Sequence, residues 1–278
     1  MSDWSHGDTF ANGIKIHYYR TGGDKPPVVL SHGFSDNGMC WIRVTKALEE
    51  DYDLIIPDAR GHGLSDAPET GYDDQGRAAD VAGLIKALNL EKPALIGHSM
   101  GASTTAMAAV QYPDLVGSAV LEDPPWFDKN SPWARDRLNL SPEEQKAEAE
   151  KRRAEIVERK SKTVEEIAAA GREQSPTWDE IEFGPWAESK QQLSPNVIGL
   201  FGRQPAHWTE VVPKIACPTL LVIGDPDMHS IVTPAIAQQA AETNALIEVV
   251  QLKGAGHNIR REQFDGFVKA VRAFLAAH

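Results

Sequence analysis

The pattern of hydrophobic and polar positions is regular from the N-terminus to about residue 120. The segment "GIKIHYY" alternates apolar and polar positions, which predicts a half-buried edge or hairpin strand. The runs "PPVVLS", "YDLIIPD", "PALIG" and "GSAVLED" are short and apolar, which is typical of strands buried on both faces. Between them lie segments with helical spacing, such as residues 73 to 90. This alternation predicts an α/β fold with a mostly parallel central sheet and helices on both faces.

The pattern changes at residue 124, where a charged and helix-favouring region begins. Ser141 with Glu144, and Thr163 with Glu166, predict capping boxes at two helix starts. Apolar strand runs resume only with "TLLVIGDPD" and "ALIEVVQLKG", and "FDGFVKAVRAFLAAH" predicts a closing helix. We therefore expect residues 124 to 210 to form a helical cap inserted into a core made of residues 1 to 123 and 211 to 278.

Charge and cysteine content narrow the class of protein. The chain has 278 residues and a net charge of -12, which argues against nucleic acid and anionic membrane as partners. Neither a signal-peptide pattern nor a membrane-length apolar run is visible, so we expect a cytoplasmic protein. Cys40 and Cys217 are far apart and lack metal-ligand spacing, so we expect free thiols and no metal site. The expected partner is a small-molecule substrate, and both a monomer and a homodimer stay open.

The stretch "GHSMG" places Ser99 between an apolar run and an alanine-rich helix-favouring run. Gly97 and Gly101 fit a turn so sharp that backbone groups approach each other closely. The strand, turn and helix together are typical of a nucleophile elbow, which exposes a serine above a sheet. A serine hydroxyl needs a nearby base, and that base needs a group that orients it.

The base and acid candidates follow other predicted strands. His257 in "GAGHN" comes after the last strand, and Asp227 in "GDPD" after the preceding one. Serine, acid and histidine then follow the chain order of this type of site. Asp225 is a neighbouring alternative for the acid, and Glu122 or Asp123 after "SAVL" is another.

Stabilisation of a developing oxyanion needs backbone donors that are already in position. The N–H of Met100 at the start of the elbow helix is one candidate, and the N–H of Phe34 in "SHGF" is the second. We expect the substrate pocket to include His98, Trp126, Phe127 and Trp186.

The chain resembles the α/β-hydrolase fold superfamily with a helical cap, a group of esterases, lactonases and related hydrolases. The matching motifs are "SHGF", "DARGHGLSD", "GHSMG", "PTLLVIGDPD" and "GAGHN", and only about residues 124 to 210 lie outside them. The resemblance implies a cofactor-free serine hydrolase that cleaves an ester or lactone of a small to medium, fairly apolar substrate. Relatives that dehalogenate alkanes or open epoxides place a carboxylate where Ser99 stands here.

Two other hypotheses follow from the same resemblance. Similar capped relatives carry out hydrolytic C–C bond cleavage or cofactor-free perhydrolysis. Some relatives are ligand-binding receptors that retain the fold and the pocket.

Overall fold

The central element of the protein is an eight-stranded sheet, seen here in a computed structural model that describes residues 4–127, 141–200 and 206–278. The strands are β1 (Ser5–Ala11), β2 (Ile14–Arg20), β3 (Pro27–Ser31), β4 (Asp53–Pro57), β5 (Ala94–His98), β6 (Ser118–Glu122), β7 (Thr219–Ile223) and β8 (Ile247–Gln251). Their order in the sheet is β1-β2-β4-β3-β5-β6-β7-β8, and all neighbouring pairs from β4 to β8 in this order are parallel. The predicted α/β fold with a mostly parallel sheet is therefore confirmed.

The first two strands form an antiparallel hairpin in which Ala11 pairs with Ile14. Asn12 and Gly13 between them both have positive φ, at 50° and 78°. This is the backbone that a two-residue type I′ hairpin turn requires. The sequence pattern predicts β2 but not β1, and the Asn-Gly dipeptide is the signal that indicates both strands.

Helices cover both faces of the sheet. In the order of the chain, the core helices are α1 (Ile42–Leu48), α2 (Asp74–Ala87), α3 (Met100–Gln111), α8 (Pro234–Thr243), α9 (Ile259–Glu262) and α10 (Phe264–Ala277). Successive side chains of each buried strand point to opposite faces, so both faces are apolar. Val29, Ile55 and Leu95 face the core cluster beneath α2, α3 and α8. Val28, Leu30 and Ile96 face the opposite cluster, beneath α1 and α10.

The described residues between β6 and β7 form helices and no strand. They are α4 (Pro142–Arg159), α5 (Val164–Gln174), α6 (Glu180–Gln192), a 3₁₀ helix (Pro195–Leu200) and α7 (Trp208–Val211). Both predicted capping boxes are present, at the N-termini of α4 and α5. Residues 128–140 and 201–205, which belong to the predicted cap, lie outside the described residues. In the described part of the chain, no helix is long and apolar enough to cross a membrane.

Candidate active site

The carboxyl ends of the parallel strands meet at one edge of the sheet, and Ser99 lies there between β5 and α3. Its backbone has φ 52° and ψ -114°, a strained conformation for a non-glycine residue. A Cβ on Gly97 would lie 2.3 Å from the carbonyl oxygen of Gly101, and one on Gly101 would lie 2.1 Å from that of Ser31. Both glycines are therefore required by close backbone packing around the strained turn. The N–H of Ser99 donates to the carbonyl oxygen of Glu122 at 2.9 Å, which ties the turn to β6.

His257 lies in the loop after β8, and it lines the same cavity as Ser99. Its Nδ1 atom is 2.6 Å from Oδ2 of Asp123. A carboxylate only accepts hydrogen bonds, so Nδ1 carries the proton of the neutral imidazole. Nε2 is then the nitrogen that can accept a proton from a hydroxyl group.

Asp123 directly follows β6, has φ 42°, and is fully buried, with 0% of its surface exposed. Its carboxylate accepts hydrogen bonds from Ser230 Oγ at 2.8 Å, Ile231 N at 2.8 Å and Val232 N at 2.9 Å. Hydrogen bonds to an ionised acceptor are stronger than those between neutral groups. The carboxylate therefore has one fixed orientation towards His257.

The prediction that Asp227 orients the histidine is wrong. Asp227 is exposed on a short 3₁₀ helix, whereas Asp123 occupies the position beside His257 Nδ1. Asp225 is not the partner either, because its carboxylate accepts from the N–H of Gly254, in the loop after β8, at 2.7 Å.

Glu122, the other alternative, is buried and belongs to a different interaction. Its carboxylate accepts from the backbone N–H of Arg260 at 2.8 Å and forms an ion pair with the side chain of the same residue. Burial raises the pKa of Glu122, and Arg260 opposes that shift. Of the four acids considered in the sequence, the structure brings only Asp123 to the histidine.

Phe34 and Met100, the two candidate oxyanion donors, line the cavity beside Ser99. Met100 is the first residue of α3, where backbone N–H groups have no acceptor within the helix. Phe34 lies in the loop after β3, directly before Ser35, which has φ 63°. Both candidate donors therefore belong to residues that line the same cavity as Ser99.

The cavity has a volume of about 680 Å³ and a mixed lining. Phe127 and Trp186 line it as predicted, together with Trp178. Among the described residues, four basic side chains also line it, and each forms an ion pair with a carboxylate: Arg77, Arg152, Lys190 and Arg261. The lining therefore combines aromatic and charged side chains.

The structure also corrects the prediction that Trp126 belongs to the substrate pocket. It is 4% exposed, belongs to the hydrophobic core, and stacks on Trp208 with ring centroids 6.4 Å apart. Apolar burial, rather than the cavity, accounts for this tryptophan.

His98 lines the cavity as predicted and supports the loop that carries His257. Its Nε2 atom donates to the carbonyl oxygen of His257 at 2.9 Å, and the two rings lie 4.7 Å apart. Burial, reinforced by the charge of Arg260, holds the pKa of His98 well below its usual value. His98 is therefore neutral at physiological pH.

A buried group of charges centred on Asp36 forms part of the cavity lining, and the sequence pattern does not predict it. The Asp36 carboxylate contacts Lys190 Nζ at 3.1 Å and the guanidinium groups of Arg260 and Arg261, each at 3.2 Å. Burial acts to raise the pKa of Asp36, but Arg261 and Lys190 outweigh it and hold that pKa well below its usual value. Lys190 belongs to α6 of the insertion, so these contacts join the insertion to the core.

A model of the alpha/beta hydrolase family matches residues 28–270, and the chain belongs to this family. The chain is 28% identical over 281 residues to an N-formylmaleamate deformylase of Pseudomonas putida, a match that covers 97% of this chain and 96% of that one. It is also 42% identical over 104 residues to a 2-(acetamidomethylene)succinate hydrolase of Mesorhizobium japonicum, but this match spans only 37% of either chain.

A crystal structure of an E-2-(acetamidomethylene)succinate hydrolase has the same fold. The TM-score is 0.77, with 24% identity over 98% of this chain and 99% of that one. The predicted class of protein, an α/β-hydrolase, is confirmed, and its relatives are hydrolases.

Proposed function

We propose that the protein is a serine hydrolase that cleaves a carboxylic ester or lactone through an acyl-enzyme. Ser99 is the nucleophile, His257 the general base and acid, and Asp123 the residue that orients His257. One observation carries the proposal: His257, paired through Nδ1 with Asp123 Oδ2 at 2.6 Å, lines the same cavity as a serine on a strained elbow. A base held in one tautomer and a serine hydroxyl in one cavity are what nucleophilic catalysis requires.

In the first half of the proposed reaction, Ser99 Oγ attacks the carbonyl carbon while His257 Nε2 takes the hydroxyl proton. The carbonyl oxygen becomes an oxyanion and accepts hydrogen bonds from the N–H groups of Met100 and Phe34. When the tetrahedral intermediate collapses, the C–O bond to the alcohol breaks and His257 returns the proton to the leaving alkoxide. A water molecule then repeats these steps on the acyl-enzyme, which releases the acid and restores Ser99.

The size and lining of the cavity support a small to medium substrate. A volume of about 680 Å³ is within the range of small-molecule sites. Phe127, Trp178 and Trp186 offer contacts to an apolar part of the substrate. Because the basic side chains of the cavity are paired with carboxylates, they favour polar groups of a substrate without making the site strongly cationic.

Hydrolysis of an amide C–N bond is the second candidate, and the names of the relatives favour it. The relative that matches along the whole chain is named for a formyl amide, and the relative that matches over a third of the chain is named for an acetamido compound. The same residues would carry out this reaction, with His257 protonating a leaving nitrogen. Hydrolytic C–C cleavage, perhydrolysis and a receptor role stay predictions of the sequence alone.

The test compares hydrolysis of p-nitrophenyl esters from acetate to octanoate with release of formate or acetate from N-formyl and N-acetyl amides. Wild type, Ser99→Ala and Ser103→Ala are assayed together, since Ser103 also lines the cavity but lies outside the elbow. Ester turnover that is lost only in Ser99→Ala supports the first candidate. Amide turnover with weak ester turnover supports the second. A folded wild type with tight ligand binding and no turnover would favour a receptor.

A further inference from the structure

Helix α6 of the insertion contacts the loop after β3, residues 32 to 37, which carries the proposed oxyanion donor Phe34. Lys190 Nζ donates to the carbonyl oxygen of Ser35 at 2.8 Å, to Ser35 Oγ at 3.0 Å and to Asp36 Oδ1 at 3.1 Å. Ser189 Oγ donates to the same Ser35 carbonyl at 2.9 Å. All three ammonium protons of Lys190 therefore go to two adjacent residues of this loop.

Helix α6 also contacts the end of this loop and the segment that follows His257. Asn37 Nδ2 donates to Gln192 Oε1 at 2.8 Å, near the end of α6. Glu182, near its start, forms an ion pair with Arg261 at 3.1 Å, four residues after His257. Helix α6 thus contacts the segments that hold two of the proposed catalytic groups.

The loop needs this support because its backbone is strained at Ser35. A non-glycine residue with φ 63° is higher in energy than one in an ordinary conformation, and persists only when its surroundings hold it. The N–H of Ser35 donates to His62 Nε2 at 3.4 Å, a long hydrogen bond, whereas its carbonyl receives two short ones from α6. Most of the hydrogen bonding that fixes this residue therefore comes from α6.

Burying the ammonium group of Lys190 costs free energy, so packing alone does not explain a lysine at this position. The Lys190 side chain is only 6% exposed, so its ammonium group loses most of its contact with water. Burial lowers its pKa, and Asp36 opposes that shift. An apolar residue would pack here at lower cost, but it could not hold the Ser35 carbonyl.

We propose that Lys190 is a positioning residue for the oxyanion hole: from the insertion it fixes the Ser35 peptide, and through it the N–H of Phe34 beside Ser99. This inference rests on the proposed hydrolase function. It means that the oxyanion hole is complete only when α6 is docked on the core. Lys190 acts on the transition state through the loop, so its loss lowers kcat and leaves KM nearly unchanged.

The experiment compares Lys190→Met with Lys190→Arg and with Lys160→Met. Lys160 is the matched control, because its Nζ donates to the carbonyl of Gln191 on the same helix at 2.7 Å but contacts no residue of the loop. In the Lys190→Met variant the Asp36 carboxylate still forms ion pairs with Arg260 and Arg261, so we expect the variant to fold. Ser189→Ala, which removes one donor to the same carbonyl, is the second variant if it does not.

Two readouts are measured: p-nitrophenyl acetate kinetics, and hydrogen exchange of the peptide covering residues 32 to 41. We expect Lys190→Met to lower kcat by roughly 10-fold or more and to speed exchange in this peptide. Lys190→Arg should retain part of the wild-type kcat and part of the slow exchange of this peptide. Lys160→Met should change neither kcat nor the exchange rate.

Unchanged exchange, an unchanged kcat, or equal losses in Lys160→Met would overturn the proposal. A wild type without Ser99-dependent turnover overturns the proposed function instead, and the exchange of the peptide then decides by itself whether Lys190 holds the loop.

Discussion

His257 and Asp123 are 134 residues apart in the chain, yet Nδ1 of the histidine lies 2.6 Å from Oδ2 of the aspartate. Four donors converge on the carboxylate: this imidazole, the Ser230 hydroxyl and two backbone N–H groups. In the proposed mechanism, such a carboxylate fixes the tautomer of His257 and stabilises the imidazolium that forms during attack. The acid of the proposed triad therefore follows β6 rather than β7.

The first prediction separates the two acid positions. Asp123→Asn should lower kcat by roughly 10³- to 10⁴-fold, because an amide at this position favours the wrong tautomer of His257. Asp227→Asn should leave kcat unchanged, since Asp227 is exposed and Asp123 is the carboxylate beside His257 Nδ1. Both are measured with p-nitrophenyl acetate, and circular dichroism checks that each variant is folded. A larger loss in Asp227→Asn than in Asp123→Asn would contradict the proposed triad.

The sequence predicts the sheet, the insertion and the elbow because each depends on local pattern. Short apolar runs, capping boxes and the spacing of Gly97, Ser99 and Gly101 are visible over a few residues. The acid is different, since carboxylates follow both β6 ("LED") and β7 ("GDPD") and the local patterns are equivalent. What distinguishes Asp123 is its set of donors at residues 230 to 232, which come from another part of the chain.

The contact between Lys190 and Ser35 is beyond sequence reasoning for the same reason. A lysine in a charged helix predicts an exposed side chain, whereas here it is buried by a loop 155 residues earlier. Trp126 illustrates the opposite error. An aromatic residue in the predicted insertion suggests a pocket, but Trp126 packs into the core of the sheet domain.

A second prediction concerns the close packing of the elbow. Gly101→Ala should destabilise the protein by about 1–3 kcal/mol, because the new Cβ would lie 2.1 Å from the Ser31 carbonyl oxygen. Gly184→Ala is the matched control, since a Cβ added to this glycine of α6 would meet nothing within 4 Å. There we expect a gain of up to about 1 kcal/mol from helix propensity. Urea denaturation measures both, and equal effects in the two variants would count against the geometry of the elbow.

A third prediction concerns the two thiols. Both cysteines are buried and free, and burial raises the pKa of Cys40 to about 11 and also raises that of Cys217. At pH 8 only about 0.1% of Cys40 would be thiolate, which is the reactive form. The native protein should therefore react very slowly with a disulfide reagent such as DTNB, and both thiols should react once it is denatured. Fast labelling of either thiol in the native state would contradict this burial.

The last prediction is a loss of stability in mild acid that comes from buried neutral histidines. Burial, with the neighbouring His32 ring, lowers the pKa of His62 to about 3. Burial also lowers the pKa of His32 and of His98. As the pH falls below about 6.5, the unfolded chain binds protons at these residues and the folded chain does not, so the free energy of unfolding decreases. Between pH 7 and pH 5.5 His62 should contribute a loss on the order of 1 kcal/mol, and His32 and His98 should add to the loss in the same direction.

Urea denaturation at pH 7, 6 and 5.5 measures this loss, in a range where carboxylates contribute little. His62→Asn is the variant of choice, since its amide can still donate to the carbonyl of Arg60, as His62 Nδ1 does at 2.8 Å. This variant should be less stable than wild type at pH 7. Between pH 7 and pH 5.5, however, its free energy of unfolding should fall by about 1 kcal/mol less than that of wild type. If wild type and His62→Asn lose the same free energy over this interval, then His62 binds its proton as readily in the folded chain as in the unfolded chain, and its pKa is not lowered by folding.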